Sequence, residues 1–463
     1  MAGFHIEHFG CRAARADGEA MAGNLRALQE REPLAADVVI VNTCSVTEEA
    51  DRAARAFIRR AHRKNPAAKI VVTGCYAQRA PEELAAMAGV AAVVGNSHKA
   101  LAPEIILEMT RGRGQQTSET TQLVPVASLL AGSGPSAPIW ADDRFAHSFI
   151  EDVHWGETQP APGAQTRPNL KIQEGCGNRC TFCVIPFTRG PSQSLPHPVV
   201  MRQVESFVAA GGKELVLSGI NLGRWGRDLG SCRESFAGLV REILEETGLP
   251  RLRLSSIEPM DWDDALIALM REFGGVRLAR HAHLPLQSGS DAVLRRMHRR
   301  YRPWHYAGKV GKLLRAAGPD LTLGADVMVG FPGETDAEFE ETVAFIRSLP
   351  FGYLHLFPFS PRPGTALHAA AKLAPEVLGE RMAALRTLAA EKSKGHRRRF
   401  VGRALEAITL HTPAALAEQG CTKALTENFL PVELEGCLSA NRLVRVQITG
   451  LSDESALQAT ALP

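Results

Sequence analysis

Three cysteines lie inside the nine-residue sequence GCGNRCTFC, and their spacing suits a metal centre. They are separated as C-x3-C-x2-C and are Cys176, Cys180 and Cys183. A structural zinc site is closed by four protein ligands, whereas three ligands leave one coordination position open. No fourth Cys or His is close, since the nearest candidates on either side are His154 and His197. The stretch therefore predicts a metal centre whose remaining position takes a small ligand.

Three more cysteines each follow an apolar run near the start of the chain. The runs FHIEHFG (4–10), DVVIVNT (37–43) and KIVVTG (69–74) are predicted strands. The residues that follow them are Cys11, Cys44 and Cys75. Further along, VAAVVG is a predicted strand, and the predicted helices are VTEEADRAARAFIRRAHRK (46–64) and PEELAAMA (81–88). Buried strands that alternate with helices predict an α/β domain over residues 1–110, built on a doubly wound parallel sheet.

We expect the three N-terminal cysteines to converge in space. The carboxyl ends of parallel strands share one edge of a sheet. Helix N-termini point at the same edge, and their dipoles favour thiolates and an anionic cluster. Three separate core cysteines are the alternative interpretation. Equivalent positions at three strand ends favour a shared metal centre instead.

A second alternation of strands and helices occupies the centre of the chain, from residue 162 to residue 394. Six predicted strands lie in it: NLKIQ (169–173), ELVLSG (214–219), RLRLSSI (251–257), HAHLPLQ (281–287), LTLGADVMVG (321–330) and YLHLFPFS (353–360). Helical patterns follow them, which predicts a partial (β/α)6 barrel with its site at the carboxyl ends of the strands. GCGNRCTFC comes directly after the first of these strands, where that rule places chemistry.

The regions on either side of the centre differ from it in composition. Residues 111–161 are rich in Gly, Pro, Ser and Thr and predict a linker or a loosely packed excursion. The tail, residues 398–461, carries the short β patterns ALEAITL, FLPVEL and LVRVQIT, which predict a small antiparallel β-barrel. Cationic runs occur at RRMHRRYR (295–302) and GHRRRFVGR (395–403). Such runs suit nucleic-acid phosphates, although solvated helix faces have the same composition.

Composition sets the broad class. The chain has 463 residues, of which 45% are hydrophobic and 22% charged, with a net charge of +3, so we expect an ordinary globular protein of about three domains. It shows neither an apolar signal core nor an uninterrupted apolar run of spanning length, which predicts a cytoplasmic protein without a membrane segment. In a reducing compartment its nine cysteines favour metal binding over disulfides. Three cysteines have no spacing partner and are interpreted as incidental: Cys232, Cys421 and Cys437.

The C-x3-C-x2-C spacing, with Phe182 before the last cysteine and a six-unit barrel around it, resembles the radical S-adenosylmethionine (SAM) superfamily. Iron cubes are usually held by four thiolates, so a cube on three cysteines has one open iron. The resemblance implies that SAM chelates this iron and is cleaved reductively to a 5′-deoxyadenosyl radical. Glu258, Gln287 and Asp326 lie at predicted strand ends, where they could contact SAM or serve as structural hydrogen-bond partners.

The chain as a whole resembles the methylthiotransferases, except over residues 111–161. The matching motifs are FGC, VNTCSVT, TGCYAQ, GCGNRCTFCVIP, RLRLSSIEP, HLPLQSGSD, VGFPGET and FSPRPGT. The resemblance implies two [4Fe-4S] clusters, one on each cysteine trio, with no catalytic residue beyond the cluster ligands. It implies that the N-terminal cluster carries the sulfur and that methylthio is installed at an unactivated C–H carbon. It also implies that the tail is an RNA-binding TRAM-like barrel.

Within this family, SGINLGRWGRDL, RLRLSSIEP and HRRRF most resemble the branch that modifies C2 of N6-threonylcarbamoyladenosine at position 37 of tRNA. The alternatives are the branches for isopentenyladenosine in tRNA and for a ribosomal-protein aspartate. A non-catalytic iron–sulfur protein that binds tRNA or transfers electrons is an alternative of another class. Expected partners besides tRNA and SAM are a sulfur donor and an electron donor such as flavodoxin or ferredoxin.

One loop departs from the family pattern. The family usually has Asn three residues after the first cysteine, where this chain has Ala14, and often Ser or Thr where it has Gly18. Glu19 keeps its place. Any contact made by that Asn is therefore absent, while Cys11 itself is retained as a ligand.

Overall fold

The structure is a computed structural model that describes residues 3–30, 34, 36–110, 137–151, 153, 155, 166–230, 235–452 and 456–463. Cys232 and most of the predicted 111–161 excursion lie outside the described residues. The chain divides into two compact units. The first comprises Met1–Trp155, Glu174–Leu195 and Ser360–His368, and the second comprises Gly156–Gln173, Pro196–Phe359 and Ala369–Pro463.

A parallel sheet of five strands forms the frame of the first unit. The strands, in their order across the sheet, are β1 (Phe4–His8), β2 (Val38–Thr43), β3 (Lys69–Gly74), β4 (Val90–Gly95) and β5 (Ile139–Trp140). The register pairs His8 with Asn42 and Thr43 with Gly74, so the carboxyl ends of the first three strands are level. The predicted parallel sheet and its first four strands are confirmed, and β5 is an addition.

Helices cover both faces of this sheet. They are α1 (Arg12–Gln29), α2 (Glu48–Lys64), α3 (Cys75–Arg79), α4 (Pro81–Ala85) and α5 (Ala102–Thr110), and a 3₁₀ segment precedes α5 at Asn96–Leu101. Ile40 and Val71 belong to one buried cluster with α1 and α5, whereas Val41 and Val72 belong to another with α2 to α4. Successive residues of the same strands thus fill opposite cores, as a doubly wound sheet requires.

Local sequence fixes where these helices begin and end. Thr47 caps α2, because its side-chain oxygen accepts the N–H of Ala50. The first turn of α2 is acidic and its last turn is basic, which complements the helix dipole. Helix α4 is shorter than predicted, because after Ala85 the chain turns through Gly89, at φ +84°, to enter β4.

The second unit contains two parallel sheets of three strands. One holds β6 (Asn169–Glu174), β8 (Glu214–Gly219) and β9 (Arg251–Leu254). The short strand β7 (Gln193–Ser194) lies between β6 and β8 in the sequence. The other holds β10 (His281–His283), β11 (Thr322–Val329) and β12 (Phe351–Pro358). A parallel bridge between Ser256 and His283 joins β9 to β10. All six predicted strands are confirmed, and the mostly parallel array agrees with the predicted partial barrel.

The helices after α5 follow these strands along the chain. They are α6 (Ile185–Arg189), α7 (His197–Ala209), α8 (Phe236–Glu246), α9 (Asp264–Glu272), α10 (Asp291–Arg296), α11 (Pro303–Ala317), α12 (Asp336–Ser348), α13 (Pro375–Arg398) and α14 (Ala414–Ala417). Two further 3₁₀ turns lie at Leu222–Arg224 and Pro259–Asp261. Helix α12 begins with a capping box, in which Thr335 and Glu338 each bond the other's backbone N–H.

The C-terminal part of the second unit is a closed five-stranded barrel. Its strands are β13 (Ala404–Thr409), β14 (Cys421–Thr426), β15 (Pro431–Glu435), β16 (Leu443–Leu451) and β17 (Leu457–Ala461). Neighbouring strands are antiparallel except for β15 and β17, which pair in parallel. The predicted small barrel is confirmed, and the one parallel seam is what closes it. Among the described residues, no helix has both the length and the apolar character that crossing a bilayer requires.

Candidate functional site

The structure places the N-terminal cysteines at the level edge of the first sheet. Cys11 is the extended N-cap residue of α1, Cys44 directly follows β2, and Cys75 is the first residue of α3. Cys44 and Cys75 are buried, whereas Cys11 is exposed. The predicted positions after three successive strands are therefore confirmed. Cys11 and Cys75 lie at helix N-termini, where the backbone favours negative charge, and Cys44 lies three residues before the N-cap residue Thr47 of α2.

Two observations show that these three thiols lie together. Gly10 adopts φ +129°, and a Cβ built on it would lie 2.7 Å from Cys44 Cβ, so this glycine lets the Cys11 loop approach Cys44. Burial, followed by the neighbouring Cys75 and Cys11, raises the pKa of Cys44 to about 12. Three neighbouring thiolates, two of them buried, repel one another and need a bound cation. The donor set therefore fits an iron–sulfur cluster, which holds its cysteines deprotonated.

Cys75 receives two hydrogen bonds from buried side chains. Arg189 Nε lies 3.3 Å from its Sγ, and Asn96 Nδ2 lies 3.4 Å from the same atom. Asn96 also donates to the carbonyl of Thr188 at 2.8 Å. Sequence reasoning missed Asn96 and Arg189. The signal that could have found them is their position, since Asn96 directly follows β4 and Arg189 ends the helix after GCGNRCTFC.

Arg189 belongs to a buried cluster of two cations and two carboxylates. Its Nη1 lies 3.1 Å from Asp17 and 2.8 Å from Glu174. Lys99 Nζ lies 3.1 Å from the same Asp17 and also pairs with Glu174. All four side chains are at most 4% exposed. A buried charge is tolerated when it is paired in this way, so the cluster fixes the guanidinium against Cys75.

The loop that departs from the family pattern has a local explanation. A Cβ on Gly18 would lie 2.0 Å from Cε1 of His8, so the imidazole occupies the space of a side chain at position 18. The carbonyl of Ala14 accepts a hydrogen bond of 2.5 Å from Asn42 Nδ2. An asparagine amide from β2 thus binds the loop in which the family's own asparagine is replaced.

The second cysteine trio lies in the loop between β6 and α6, in the first unit. Cys176, Cys180 and Cys183 are all partly exposed. The N–H of Cys176 donates to Gly190 O, and the N–H of Asn178 lies 3.4 Å from Cys176 Sγ. Gly175 has φ +66°, and a Cβ there would lie 1.8 Å from Pro191 O, so only glycine fits this turn. Phe182, between the last two cysteines, is half-buried.

Backbone and side-chain bonds connect the two trios through residues 188–190. Asn96 contacts both Cys75 and Thr188, Arg189 contacts Cys75, and Gly190 accepts from Cys176. The protein surroundings of Cys75 and Cys176 are therefore parts of one hydrogen-bonded segment. All six cysteines lie in the first unit.

Among the other predicted cofactor residues, the side chains of Glu258 and Asp326 have partners, and the side-chain oxygen of Gln287 has none among the described residues. Both oxygens of Glu258 accept from Arg299 Nη2 at 2.7 Å. Gln287 is buried at φ +65°, and its Oε1 has no hydrogen-bond partner among the described residues. Asp326 lies between His283 and His355. Glu258 thus has a structural partner, while strained backbone and an orphaned acceptor mark Gln287 as a ligand-binding candidate.

Two family models match the chain. The description "Uncharacterized protein family UPF0004" matches residues 3–95, and "Radical SAM superfamily" matches residues 170–346. A solved radical SAM methyltransferase from Kitasatospora setae, TsrM, has a similar fold, with a TM-score of 0.54 and 16% identity over 77% of this chain and 68% of that one. The fold and the cysteine loop define a radical SAM enzyme.

Curated relatives narrow the class. "Threonylcarbamoyladenosine tRNA methylthiotransferase MtaB" of Bacillus subtilis is 36% identical over 89% of this chain and 85% of its own length. "tRNA-2-methylthio-N(6)-dimethylallyladenosine synthase" of a Parafrankia species is 34% identical over 88% and 77%. The chain belongs to the methylthiotransferase family of radical SAM enzymes. Enzymes of this family use SAM and carry two [4Fe-4S] clusters, as the resemblance of the sequence implies.

Proposed function

We propose that this enzyme methylthiolates C2 of N6-threonylcarbamoyladenosine at position 37 of tRNA. Five curated relatives, between 31% and 36% identical to this chain, carry the name of that activity. The observation that carries the proposal is the presence in one unit of two cysteine trios, linked through residues 188–190. A methylthiotransferase needs two clusters with open positions, and an electron carrier, whose cubes are saturated by four ligands, does not.

The cluster ligands follow from the two trios. We assign the sulfur-carrying cluster to Cys11, Cys44 and Cys75, and the SAM cluster to Cys176, Cys180 and Cys183. When bound, these clusters and SAM supply the radical and the methylthio group. The chain's own residues hold the thiolates at two loops, place the Arg189 guanidinium on Cys75, and present the Gln287 amide oxygen from a strained turn. That oxygen is proposed to accept a hydrogen bond from SAM.

The C-terminal barrel is proposed to bind the tRNA. Its exposed cations include Lys423, Arg442 and Arg445. The central run RRMHRRYR is a weaker candidate than the sequence indicates, because ion pairs occupy most of its arginines. Arg295 and Arg302 pair with Asp291, Arg296 with Glu338 and Arg299 with Glu258. The C-terminal barrel is therefore proposed to contact the tRNA phosphates in preference to this central run.

An electron donor and a sulfur donor are proposed because the reaction consumes an electron and a sulfur atom. Reductive cleavage of SAM consumes an electron of low potential, which a reduced flavodoxin or ferredoxin would deliver. The transferred sulfur must be replaced by a sulfur donor after each turnover. Because the substrate is tRNA, the enzyme is proposed to act in the cytoplasm.

The experiment compares substrates directly. Anaerobically reconstituted enzyme is incubated with SAM, dithionite and tRNA that carries either threonylcarbamoyladenosine or isopentenyladenosine, and the nucleosides are analysed by mass spectrometry. We expect the methylthio product from the first tRNA, and neither product with the Cys180→Ala variant. A methylthio product from the isopentenyladenosine tRNA alone would assign the chain to the other tRNA branch. SAM cleavage without either product would favour the ribosomal-protein substrate, and absence of SAM cleavage would reject a radical enzyme.

A further inference from the structure

Three neighbouring strands of the second unit carry polar residues at alternate positions on one face. The sequences are His-Ala-His in β10, Gly-Ala-Asp within β11 and Tyr-Leu-His within β12. The parallel register pairs His283 with Gly324 and Asp326 with His355. Because side chains in a strand alternate between faces, the first and third residues of each triplet lie on the same face. A compact polar cluster results: His281, His283, Asp326, Tyr353 and His355.

Asp326 is the centre of this cluster. Its Oδ2 lies 3.1 Å from His283 Nε2, and its Oδ1 lies 3.2 Å from His355 Nδ1. The three possible ligand atoms lie within 4.8 Å of one another. Burial by itself raises the pKa of Asp326, but the two histidines lower it well below its usual value. The group is therefore a carboxylate that two imidazoles face.

The surroundings of His283 match those of a metal-binding histidine. Its second ring nitrogen, Nδ1, lies 3.0 Å from the hydroxyl of Tyr353, and that hydroxyl lies 2.7 Å from His281 Nε2. Gly324 makes room for this arrangement, since a Cβ there would lie 2.1 Å from the Tyr353 ring. A ligating histidine normally bonds such a partner through its other nitrogen, which fixes the ring's tautomer and orientation.

We propose that His283, Asp326 and His355 form a third metal site, one that binds a divalent transition ion such as Zn²⁺. Two imidazoles and one carboxylate are a donor set that Zn²⁺ accepts, and three protein ligands leave a coordination position open. Bonds of about 2.0 Å in a tetrahedron need donor atoms about 3.3 Å apart. The three ligand atoms, which lie within 4.8 Å of one another, would therefore move slightly closer on binding. The side chain of His355 is 58% exposed, so the open position has access to water or to an oxygen ligand.

Binding requires a change of tautomer and a closer approach of the three donor atoms. In the metal-free arrangement both imidazoles direct an N–H at Asp326. On binding, the proton of His283 moves to Nδ1, where the Tyr353 oxygen accepts it, and that of His355 moves to Nε2, away from the ion. The Tyr353 hydroxyl then donates to His281 Nε2.

The test measures zinc on the complete, cluster-loaded protein without SAM or tRNA. Anaerobic holoenzyme is dialysed against buffered Zn²⁺, and zinc and iron per chain are measured by mass spectrometry. We expect about one zinc per chain with no loss of iron. Asp326→Asn and His355→Ala should weaken zinc binding by at least about 100-fold, and Tyr353→Phe by about 10- to 100-fold. The exposed His305→Ala is the matched control and should bind zinc like the wild type.

Each outcome of the zinc measurement either supports or overturns the proposed metal site. Zinc binding that is equal in the wild type and in Asp326→Asn, or absent from both, overturns the proposal. Zinc uptake that rises as iron is lost and persists in His355→Ala places the ion at the cysteines and also overturns it. An unchanged iron content in each variant shows that the variant has folded. Since neither SAM nor tRNA is present, a failure here is independent of the proposed methylthiotransferase substrate.

Discussion

Arg189 Nε lies 3.3 Å from Cys75 Sγ, which joins the segment after the second cysteine trio to a sulfur of the first. Burial alone would lower the pKa of Arg189, but Cys75, Glu174 and Asp17 together raise it well above its usual value. The guanidinium is therefore a fixed positive charge and donor beside that sulfur. Hydrogen bonds to ligand sulfurs are among the features that set the potential of an iron–sulfur cluster.

We predict that Arg189→Lys lowers the reduction potential of the N-terminal cluster. Lysine keeps the charge but loses the planar donor that contacts Cys75, so the reduced cluster is less stabilised. The expected decrease is roughly 50 mV. The potential is measured by a redox titration monitored by electron paramagnetic resonance. The protein used also has Cys176, Cys180 and Cys183 replaced by alanine, so that only the N-terminal cluster gives a signal.

The matched control for this titration is Arg144→Lys. Arg144 lies in the same unit, and its side chain is 81% exposed and pairs with Asp142. We expect its substitution to leave the potential unchanged. An equal potential for the wild type and Arg189→Lys would mean that the contact with Cys75 has no electronic effect and that Arg189 serves only the buried ion cluster.

Substitutions of the two trios should separate two steps of the reaction. Cys75→Ala removes a ligand of the sulfur-carrying cluster, so SAM cleavage should persist while methylthiolated tRNA disappears. Cys180→Ala should abolish both, because it removes a ligand of the SAM cluster. Each variant should lose about four of about eight irons, since a cube without one of its three thiolates is seldom retained. Iron analysis, 5′-deoxyadenosine assay and nucleoside mass spectrometry measure the three outcomes.

Cys437→Ala is the matched control for these variants. Cys437 is exposed and belongs to the C-terminal part of the chain. Its iron content, SAM cleavage and product should equal those of the wild type. Normal amounts of product from Cys75→Ala would show that the N-terminal trio is structural, and the two-cluster assignment would then fail.

The fold was largely predictable because hydrophobic period and strand–helix alternation are local signals. The four N-terminal and six central strands were all identified from such runs. Two strands of the C-terminal barrel, Cys421–Thr426 and Leu457–Ala461, were missed. Their sequences, CTKALT and LQATA, contain few β-branched or aromatic residues, and they become strands because a closed barrel pairs them on both sides.

The cysteines of the site were predictable, and the residues around them were not. Spacing and strand ends reveal the six thiols. By contrast, Asp17, Lys99, Glu174 and Arg189 come from four separate elements, and their pairing depends on how those elements pack. Charge alone was also ambiguous in RRMHRRYR, where Arg299 pairs with Glu258 instead of remaining available to RNA. The cluster-ligand assignments themselves stay predictions until iron is measured.

The tRNA surface should be tested by point substitutions, because the barrel is tied to the rest of its unit. Arg251 pairs with Glu406, and Arg280 pairs with Glu427, so truncation would remove an ion-pair partner from each of these arginines. We predict that Arg442→Gln together with Arg445→Gln weakens tRNA binding. The slope of log affinity against log salt should become less negative by about 1 to 2, since two phosphate contacts are lost.

Fluorescence anisotropy over a salt series measures this slope. Arg241→Gln is the matched control, because Arg241 is exposed but already paired with Glu245 and Glu272. Its slope should equal that of the wild type. If the double variant and the control behave alike, the phosphate-binding surface lies elsewhere on the chain.

His396 should make the protein less stable in mild acid. It lies in the basic run GHRRRFVGR but is buried in α13, and its Nε2 lies 2.9 Å from Thr322 Oγ1 on β11. Burial, and then Arg399 and Arg397, lower its pKa from 6.5 to about 4. The unfolded chain therefore binds a proton before the folded one. Stability from neutral His396 is complete above about pH 6.5 and is lost as the pH falls toward the folded value.

We predict that His396→Gln removes this pH dependence while it retains a donor for Thr322. At pH 5.5 the folded histidine costs about 1.4 kcal/mol relative to pH 7.5, because one pKa unit corresponds to about 1.4 kcal/mol. The free-energy difference between wild type and variant, from anaerobic urea unfolding, should therefore shift by about that amount between the two pH values. The exposed His305→Gln should show no such shift. A difference that is equal at both pH values would mean that His396 takes up its proton as readily in the folded protein as in the unfolded chain.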